Sequence, residues 1–147
     1  MSFPADMEVH DEILIKASRE RVFHALTNAG EITAWWRLPG LYAVDRAEID
    51  LKVGGEFRFS GTNSNNGPFV LTGVFLVVDP PRRLEYTWMP DWNDEASGSK
   101  VEIRLEADGD RTRLVLKHSG FLAASAYEEH LKGWPAVLSV LAGYVSE

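Results

Sequence analysis

The segment YEEHLKGWPAVLSVLAGYV, residues 127–145, decides the fold, because it restores helical spacing after a long stretch of strand-like sequence. Its large apolar side chains recur at steps of four, three, four, three and four residues, which places them on one face of a helix. They are Tyr127, Leu131, Trp134, Leu138, Leu141 and Val145. We therefore predict a long C-terminal helix with one apolar face.

The sequence before this helix has a different period. From Tyr42 onward, apolar side chains recur about every second residue, and short turns such as VGGE at 53–56 and DGD at 108–110 divide the stretch into six strands. One further strand at 9–17 precedes Ser18, a helix N-cap, and two short helices that end near Trp36. This order predicts an α+β fold in which a curved antiparallel sheet of seven strands packs on the last helix.

Composition limits the classes of protein to consider. The 147 residues have the size of one domain, 1–147, and 45% hydrophobic with 25% charged residues is typical of a soluble globular chain. No apolar run is long enough to span a membrane, and the acidic N-terminus does not resemble a signal peptide, so we expect a cytoplasmic protein. A net charge of −7 with scattered basic residues argues against nucleic acid as a partner.

Four blocks of the sequence resemble the bacterial family homologous to the activator of the heat-shock protein 90 ATPase. They are ILIKASRERVFHALTNAGEITAWW (13–36), DLKVGGEFRF (50–59), GVFLVVDPPRRLEYTW (73–88) and LVLKHSGF (114–121) with EEHLKGWPAVLSVL (128–141). This family lies in the START-like, Bet v 1-like (SRPBCC) group. The resemblance implies a helix-grip fold, in which a seven-stranded sheet wraps the long helix around a cavity that relatives use for apolar small molecules.

Strand phase and helix position select candidate ligand-binding residues around such a cavity. His118 shares the phase of Leu114 and Leu116, so it either contacts a ligand or is a buried histidine satisfied by protein or water. His130 either reaches the cavity mouth or packs on the rim of the sheet. The candidates are Trp36, Phe57, Phe59, Phe75, Tyr86, Trp88, His118, His130 and Trp134.

Other residues carry structural expectations. Adjacent helical side chains diverge by about 100°, so we expect Trp35 in the core and Trp36 at the cavity entrance. Trp92 lies in a loop that either covers the cavity or covers the sheet edge. Pro135 either kinks the last helix or starts a second helical piece. Asp11, near the chain start, is expected to be exposed.

Three functions are compatible with the sequence. The first is binding of a small apolar or amphipathic molecule in a cavity larger than about 300 Å³. The second is a co-chaperone-like module for a chaperone or other protein partner, which the family name suggests. The third is a cyclase- or hydrolase-type enzyme that uses cavity histidines. With no cysteine and no metal-binding histidine spacing, we expect no metal and no cofactor.

Overall fold

The computed structural model describes residues 7–65 and 67–146. The chain forms an α+β fold, as predicted, with eight strands and three helices in the described part. In chain order the elements are β1 (Val9–Ile15), α1 (Arg19–Thr27), α2 (Ala29–Trp35), β2 (Arg37–Leu38), β3 (Tyr42–Ile49), β4 (Glu56–Asn63), β5 (Gly67–Asp79), β6 (Arg83–Pro90), β7 (Ser99–Asp108), β8 (Arg111–Ser119) and α3 (Ala124–Val145).

The strands form one antiparallel sheet in the order β1-β8-β7-β6-β5-β4-β3-β2. The pairing register shifts between Val44 and Arg46 and between Phe75 and Val77. Such irregularities increase the local bend and twist of a sheet. Helix α3 contacts both β1 and β2, the two edge strands. The sheet therefore curls around α3, and the core fills the space between them.

The sheet has eight strands rather than the predicted seven. The additional strand, β2, has only two residues, which pair with Ala43 and Tyr42 at the end of β3. A period of two cannot be recognised in a segment of two residues, so this strand could not be predicted from the hydrophobic pattern. The predicted turn at 53–56 is confirmed, since it connects the antiparallel strands β3 and β4, and Gly54 takes the left-handed conformation there (φ +84°).

Helix α3 runs unbroken through Pro135, so the alternative of two helical pieces is wrong. Trp134, Leu138, Leu141 and Val145 are buried as predicted. Leu131 is not, since 42% of it is exposed and His130 is buried in its place. The reason is that Ala126 and His130 lie one turn apart on the buried face, and both nitrogens of the His130 ring have hydrogen-bond partners inside the protein. Among the described residues, no helix combines the length and apolar character needed to cross a bilayer.

Candidate functional site

A cavity of about 260 Å³ lies between the concave face of the sheet and the first half of α3. Its walls are mostly aromatic, with four of the five tryptophans of the chain among them. It opens to solvent beside Pro68, Trp92, Glu129 and Gly133, which are all exposed. The lining residues are Trp36, Tyr42, Val44, Phe59, Asn63, Pro68, Phe69, Leu71, Trp88, Trp92, Glu129, His130, Gly133, Trp134 and Val137.

Trp36 lies at the centre of the aromatic wall. Its ring centroid is 5.8 Å from that of Phe59, 6.4 Å from that of Trp88 and 6.3 Å from that of Trp134. Its indole N–H donates to the hydroxyl of Tyr42 over 3.1 Å. This one side chain therefore connects the end of α2 with β4, β6 and α3 around the cavity.

Trp35 and Trp36 stack on each other, with ring centroids 5.1 Å apart and planes inclined by 14°. Trp35 is buried, and its indole N–H donates to the Ala25 carbonyl over 2.8 Å, so its expected place in the core is confirmed. The expectation that the two rings diverge is wrong. Trp36 is the C-cap of α2, with φ −80° and ψ 72°, so the angular spacing of helical residues does not apply to it.

Two tryptophan–histidine hydrogen bonds join the sheet to α3 beside the cavity. The indole N–H of Trp88 on β6 donates to Nε2 of His130 on α3 over 3.1 Å. The indole N–H of Trp134 on α3 donates to Nδ1 of His118 on β8 over 3.0 Å. The sheet and α3 thus each contribute one tryptophan donor and one histidine acceptor to the contact between them.

These bonds define the tautomers of both histidines, because an indole N–H can only donate and a carbonyl can only accept. The Nε2–H of His118 donates to Oγ of Ser99 over 2.7 Å, and that hydroxyl donates to the Ala96 carbonyl over 2.5 Å. The Nδ1–H of His130 donates to the Ala126 carbonyl over 2.8 Å. Neither ring retains a free nitrogen for a bound molecule.

Burial holds His118 in its neutral form. The side chain is fully buried, and this desolvation lowers the pKa of His118 to about 2, with a smaller contribution from the neighbouring His130. The two imidazole centroids are 5.0 Å apart, so a positive charge on one opposes a charge on the other. His118 is therefore an uncharged hydrogen-bonding group at neutral pH.

The predicted site residues fall into two layers. Trp36, Phe59, Trp88, His130 and Trp134 line the cavity. Phe57, Phe75, Tyr86 and His118 are buried behind this lining. Phe57 is the centre of the second layer, with its ring centroid 5.5 Å from Phe75 and 5.2 Å from Tyr86. Burial raises the pKa of the Tyr86 hydroxyl, so that group stays protonated.

Several lining residues did not emerge from the sequence. Tyr42, Val44, Phe69 and Leu71 lie on β3 and β5, where alternation identified buried positions without showing which of them border a cavity. Glu129 is adjacent to His130 on α3, where neighbouring side chains diverge by about 100°, yet both line the cavity. The carboxylate of Glu129 accepts from the indole N–H of Trp92 over 3.3 Å and from Nδ2 of Asn93 over 3.0 Å, which draws it to the mouth.

Trp92 and Asp11 occupy different places relative to the cavity. Trp92 lies at the mouth, where its ring meets that of Phe69 at a centroid distance of 5.5 Å, and 43% of it is exposed. Asp11 is only partly exposed, because it shares the inward phase of Val9 and Ile15 on β1. Its Oδ2 is buried and makes no hydrogen bond with the described residues. Asp11 does not line the cavity.

A curled antiparallel sheet that grips a C-terminal helix defines the helix-grip class of START-like proteins. The chain belongs to the Activator of Hsp90 ATPase homolog 1-like protein family, whose sequence model matches residues 16–146. This confirms the family resemblance of the four sequence blocks. No curated protein matches the chain significantly.

Solved structures of bacterial proteins share the fold. Protein CV1439 from Chromobacterium violaceum superposes with a TM-score of 0.83 at 23% identity, over 95% of this chain and 98% of its own. CalU16 from Micromonospora echinospora has a TM-score of 0.71 at 27% identity, over 95% of this chain and 76% of its own. The Aha1 dimer from Colwellia psychrerythraea has a TM-score of 0.69 at 18% identity, over 95% and 96% of the two chains.

Proposed function

We propose that the protein binds a small apolar or amphipathic molecule in the cavity between the sheet and α3. The observation that carries this proposal is an aromatic cavity of about 260 Å³ that is open to solvent at one end. Ligand sites are typically concave, mostly apolar and provided with a few polar groups. Indole and phenyl faces on several sides offer a molecule large contact area at little cost in side-chain freedom.

The cavity volume limits the size of the ligand. At about 260 Å³ the cavity is smaller than the minimum of about 300 Å³ expected from the sequence, so that expectation is wrong, and it lies below the range typical of drug-sized ligands. An apolar cavity of about 150 Å³ suffices to bind benzene. The proposed ligand is therefore a molecule of one or two rings, or a short acyl chain, with any polar end at the mouth.

The hydrogen bonds around the cavity favour binding over catalysis. A general base must reach the proton that it removes, and both nitrogens of His118 and His130 already have protein partners. The Tyr86 hydroxyl lies behind the lining. A histidine-based enzyme thus finds less support here than a binding protein.

Filling the cavity from α3 tests the proposal. Gly133 lines the cavity, and a Cβ built on it meets nothing within 4 Å, so Gly133→Leu places an apolar side chain at the mouth. Gly143→Leu is the matched control, because Gly143 also has open space at its Cβ, lies on the same helix and does not line the cavity. Both changes replace a helical glycine and gain similar helix propensity, about 0.5–1 kcal/mol.

We expect the parent protein and Gly143→Leu to bind octan-1-ol equally in calorimetric titrations, while Gly133→Leu binds at least about tenfold more weakly, a loss of about 1.4 kcal/mol. Tryptophan fluorescence follows the same event, since four tryptophans line the cavity. The proposal fails if a panel of short alcohols and single-ring aromatics does not bind, or if Gly133→Leu binds them as the parent does.

A co-chaperone-like role is the second candidate, and the family description favours it. The solved Colwellia psychrerythraea relative carries the name Aha1. Addition of the purified protein to a bacterial Hsp90 would then raise its ATPase rate. An unchanged rate at saturating protein would remove this candidate without affecting the cavity proposal.

A further inference from the structure

The residues that line the cavity carry formal charge of one sign. Glu129 is the only residue with a formal charge among the lining residues, which contain no lysine and no arginine. The loop that carries Trp92 and Asn93 adds Asp91, Asp94 and Glu95 to the same region of the chain and, over residues 91–98, has no basic residue. A ligand headgroup at this mouth therefore meets negative charge.

The Glu129 carboxylate is held in place without being neutralised. Within the described part of the chain its partners are neutral donors, the indole N–H of Trp92 and the amide of Asn93. A carboxylate offers about four lone-pair sites, so two hydrogen bonds leave room for a further donor. Lys132 lies one turn further along α3, exposed and outside the lining, and forms no ion pair with Glu129.

The aromatic lining also favours a positively charged headgroup. Cations are attracted to the faces of aromatic rings, most strongly to tryptophan, and more so where water is excluded. Trp92 lies at the mouth, where its indole N–H donates to the Glu129 carboxylate and its ring centroid is 5.5 Å from that of Phe69. An anionic headgroup is attracted neither to the Glu129 carboxylate nor to the faces of the aromatic rings. It would lose hydration without gaining a cationic partner.

We infer that the cavity selects amphiphiles that carry an ammonium group over those that carry a carboxylate, with Glu129 as the residue that determines this specificity. The inference rests on the proposed binding function and names the chemical class of its ligand. The apolar part enters among the tryptophans, and the ammonium group lies at the mouth between the Glu129 carboxylate and the ring of Trp92.

Three probes with the same tail test the inference: octylammonium, octan-1-ol and octanoate. Calorimetric titration of the full chain near neutral pH should give the order amine, alcohol, acid, with the amine at least about tenfold tighter than the acid. Raising the salt concentration to about 1 M shortens the screening length to about 3 Å and should reduce this ratio. The alcohol, which carries no charge, reports on the cavity alone.

Two variants assign the effect to one carboxylate. Glu129→Gln keeps the size and an acceptor oxygen but removes the charge, so we expect the amine to lose its advantage and to bind this variant about as tightly as the alcohol does. Glu128→Gln removes the same charge from the adjacent exposed position outside the lining and should retain the preference. Thermal unfolding of both variants verifies that they fold.

The outcomes separate the two proposals. If the alcohol binds while the acid binds as tightly as the amine, or if Glu129→Gln leaves the preference intact, the inferred specificity is wrong and the binding function stands. If no probe binds to the parent protein, the binding function is contradicted and the specificity with it.

Discussion

The indole N–H of Trp134 donates a 3.0 Å hydrogen bond to Nδ1 of His118 and so connects α3 with β8 in the interior. The Nε2–H of His118 donates in turn to Oγ of Ser99, whose hydroxyl donates to the Ala96 carbonyl. Ala96 lies in the loop that also carries Trp92 to the mouth. One chain of hydrogen bonds therefore links the cavity wall to the loop at its opening.

Trp134→Phe removes the donor of this bond and leaves Nδ1 of His118 buried without a partner. We expect a loss of about 1–3 kcal/mol in the free energy of unfolding, measured by urea titration at neutral pH. Trp92→Phe is the control, because Trp92 is 43% exposed and its indole partner Glu129 is also exposed. Equal losses in the two variants would argue against a structural role for the buried bond.

His118 should make stability depend on pH. Its pKa is about 2 in the folded chain, whereas an unfolded histidine titrates near 6.5. Below about pH 6.5 the unfolded chain binds a proton at this histidine that the folded chain does not bind. The contribution of His118 to the free energy of unfolding is therefore fully present above that pH and is lost as the pH falls toward 2. The contribution is about 1.4 kcal/mol per pH unit, or about 2–3 kcal/mol between pH 6.5 and 4.5.

The variant His118→Asn isolates this contribution, since asparagine does not titrate. We expect it to be less stable than the parent at neutral pH, because Ser99 loses its donor, and to show a shallower decline in unfolding free energy toward pH 4.5. Other groups change equally in both proteins, so the difference between the two curves is the measurement. Parallel curves would contradict the assignment of this pH dependence to His118.

The two buried histidines should have opposite tautomers. His118 carries its proton on Nε2 and His130 carries its proton on Nδ1, as the indole donors of Trp134 and Trp88 require. The ¹⁵N chemical shifts of the rings at neutral pH distinguish these forms directly. Observation of the same tautomer at both positions would show that one tryptophan–histidine bond is absent in solution.

The adjacent tryptophans should respond differently to the same substitution. Trp35→Phe leaves the buried Ala25 carbonyl without its indole donor, and we expect a loss of about 1–3 kcal/mol of stability. Trp36→Phe removes the hydrogen bond to the partly exposed Tyr42 hydroxyl, and water replaces this bond, so the loss of stability is smaller than in Trp35→Phe. Because Trp36 lines the cavity, the loss of octan-1-ol affinity is larger than in Trp35→Phe. Urea titration and calorimetry on both variants measure the two effects, and a reversed order would contradict the roles assigned to these rings.

The fold was predictable because its elements are long. Alternation over residues 42–119 and the spacing of Trp134, Leu138, Leu141 and Val145 repeat often enough to define strands and a helix. The strand β2 could not be predicted, because two residues show no period. His130 is buried where Leu131 was predicted to be, because buried hydrogen bonds satisfy the His130 ring. Hydrophobic spacing does not detect such bonds.

The site was predictable only in part. Strand phase identifies which side chains point inward, but not how far along the strand the cavity extends, so Phe59 lines it while Phe57 lies behind. The pairing of Trp134 with His118 joins residues on different elements, and no local pattern shows it. The same holds for Glu129, whose position depends on donors in the loop between β6 and β7.

The indole N–H signals in a ¹H–¹⁵N spectrum test the central claim most directly, because each tryptophan contributes one and only Trp35 lies outside the cavity lining. On titration with octan-1-ol, the signals of Trp36, Trp88, Trp92 and Trp134 should shift together and saturate at one concentration, with the signal of Trp35 moving least. Signals that stay in place at saturating octan-1-ol, or a shift of Trp35 as large as that of the other four, would contradict binding in this cavity.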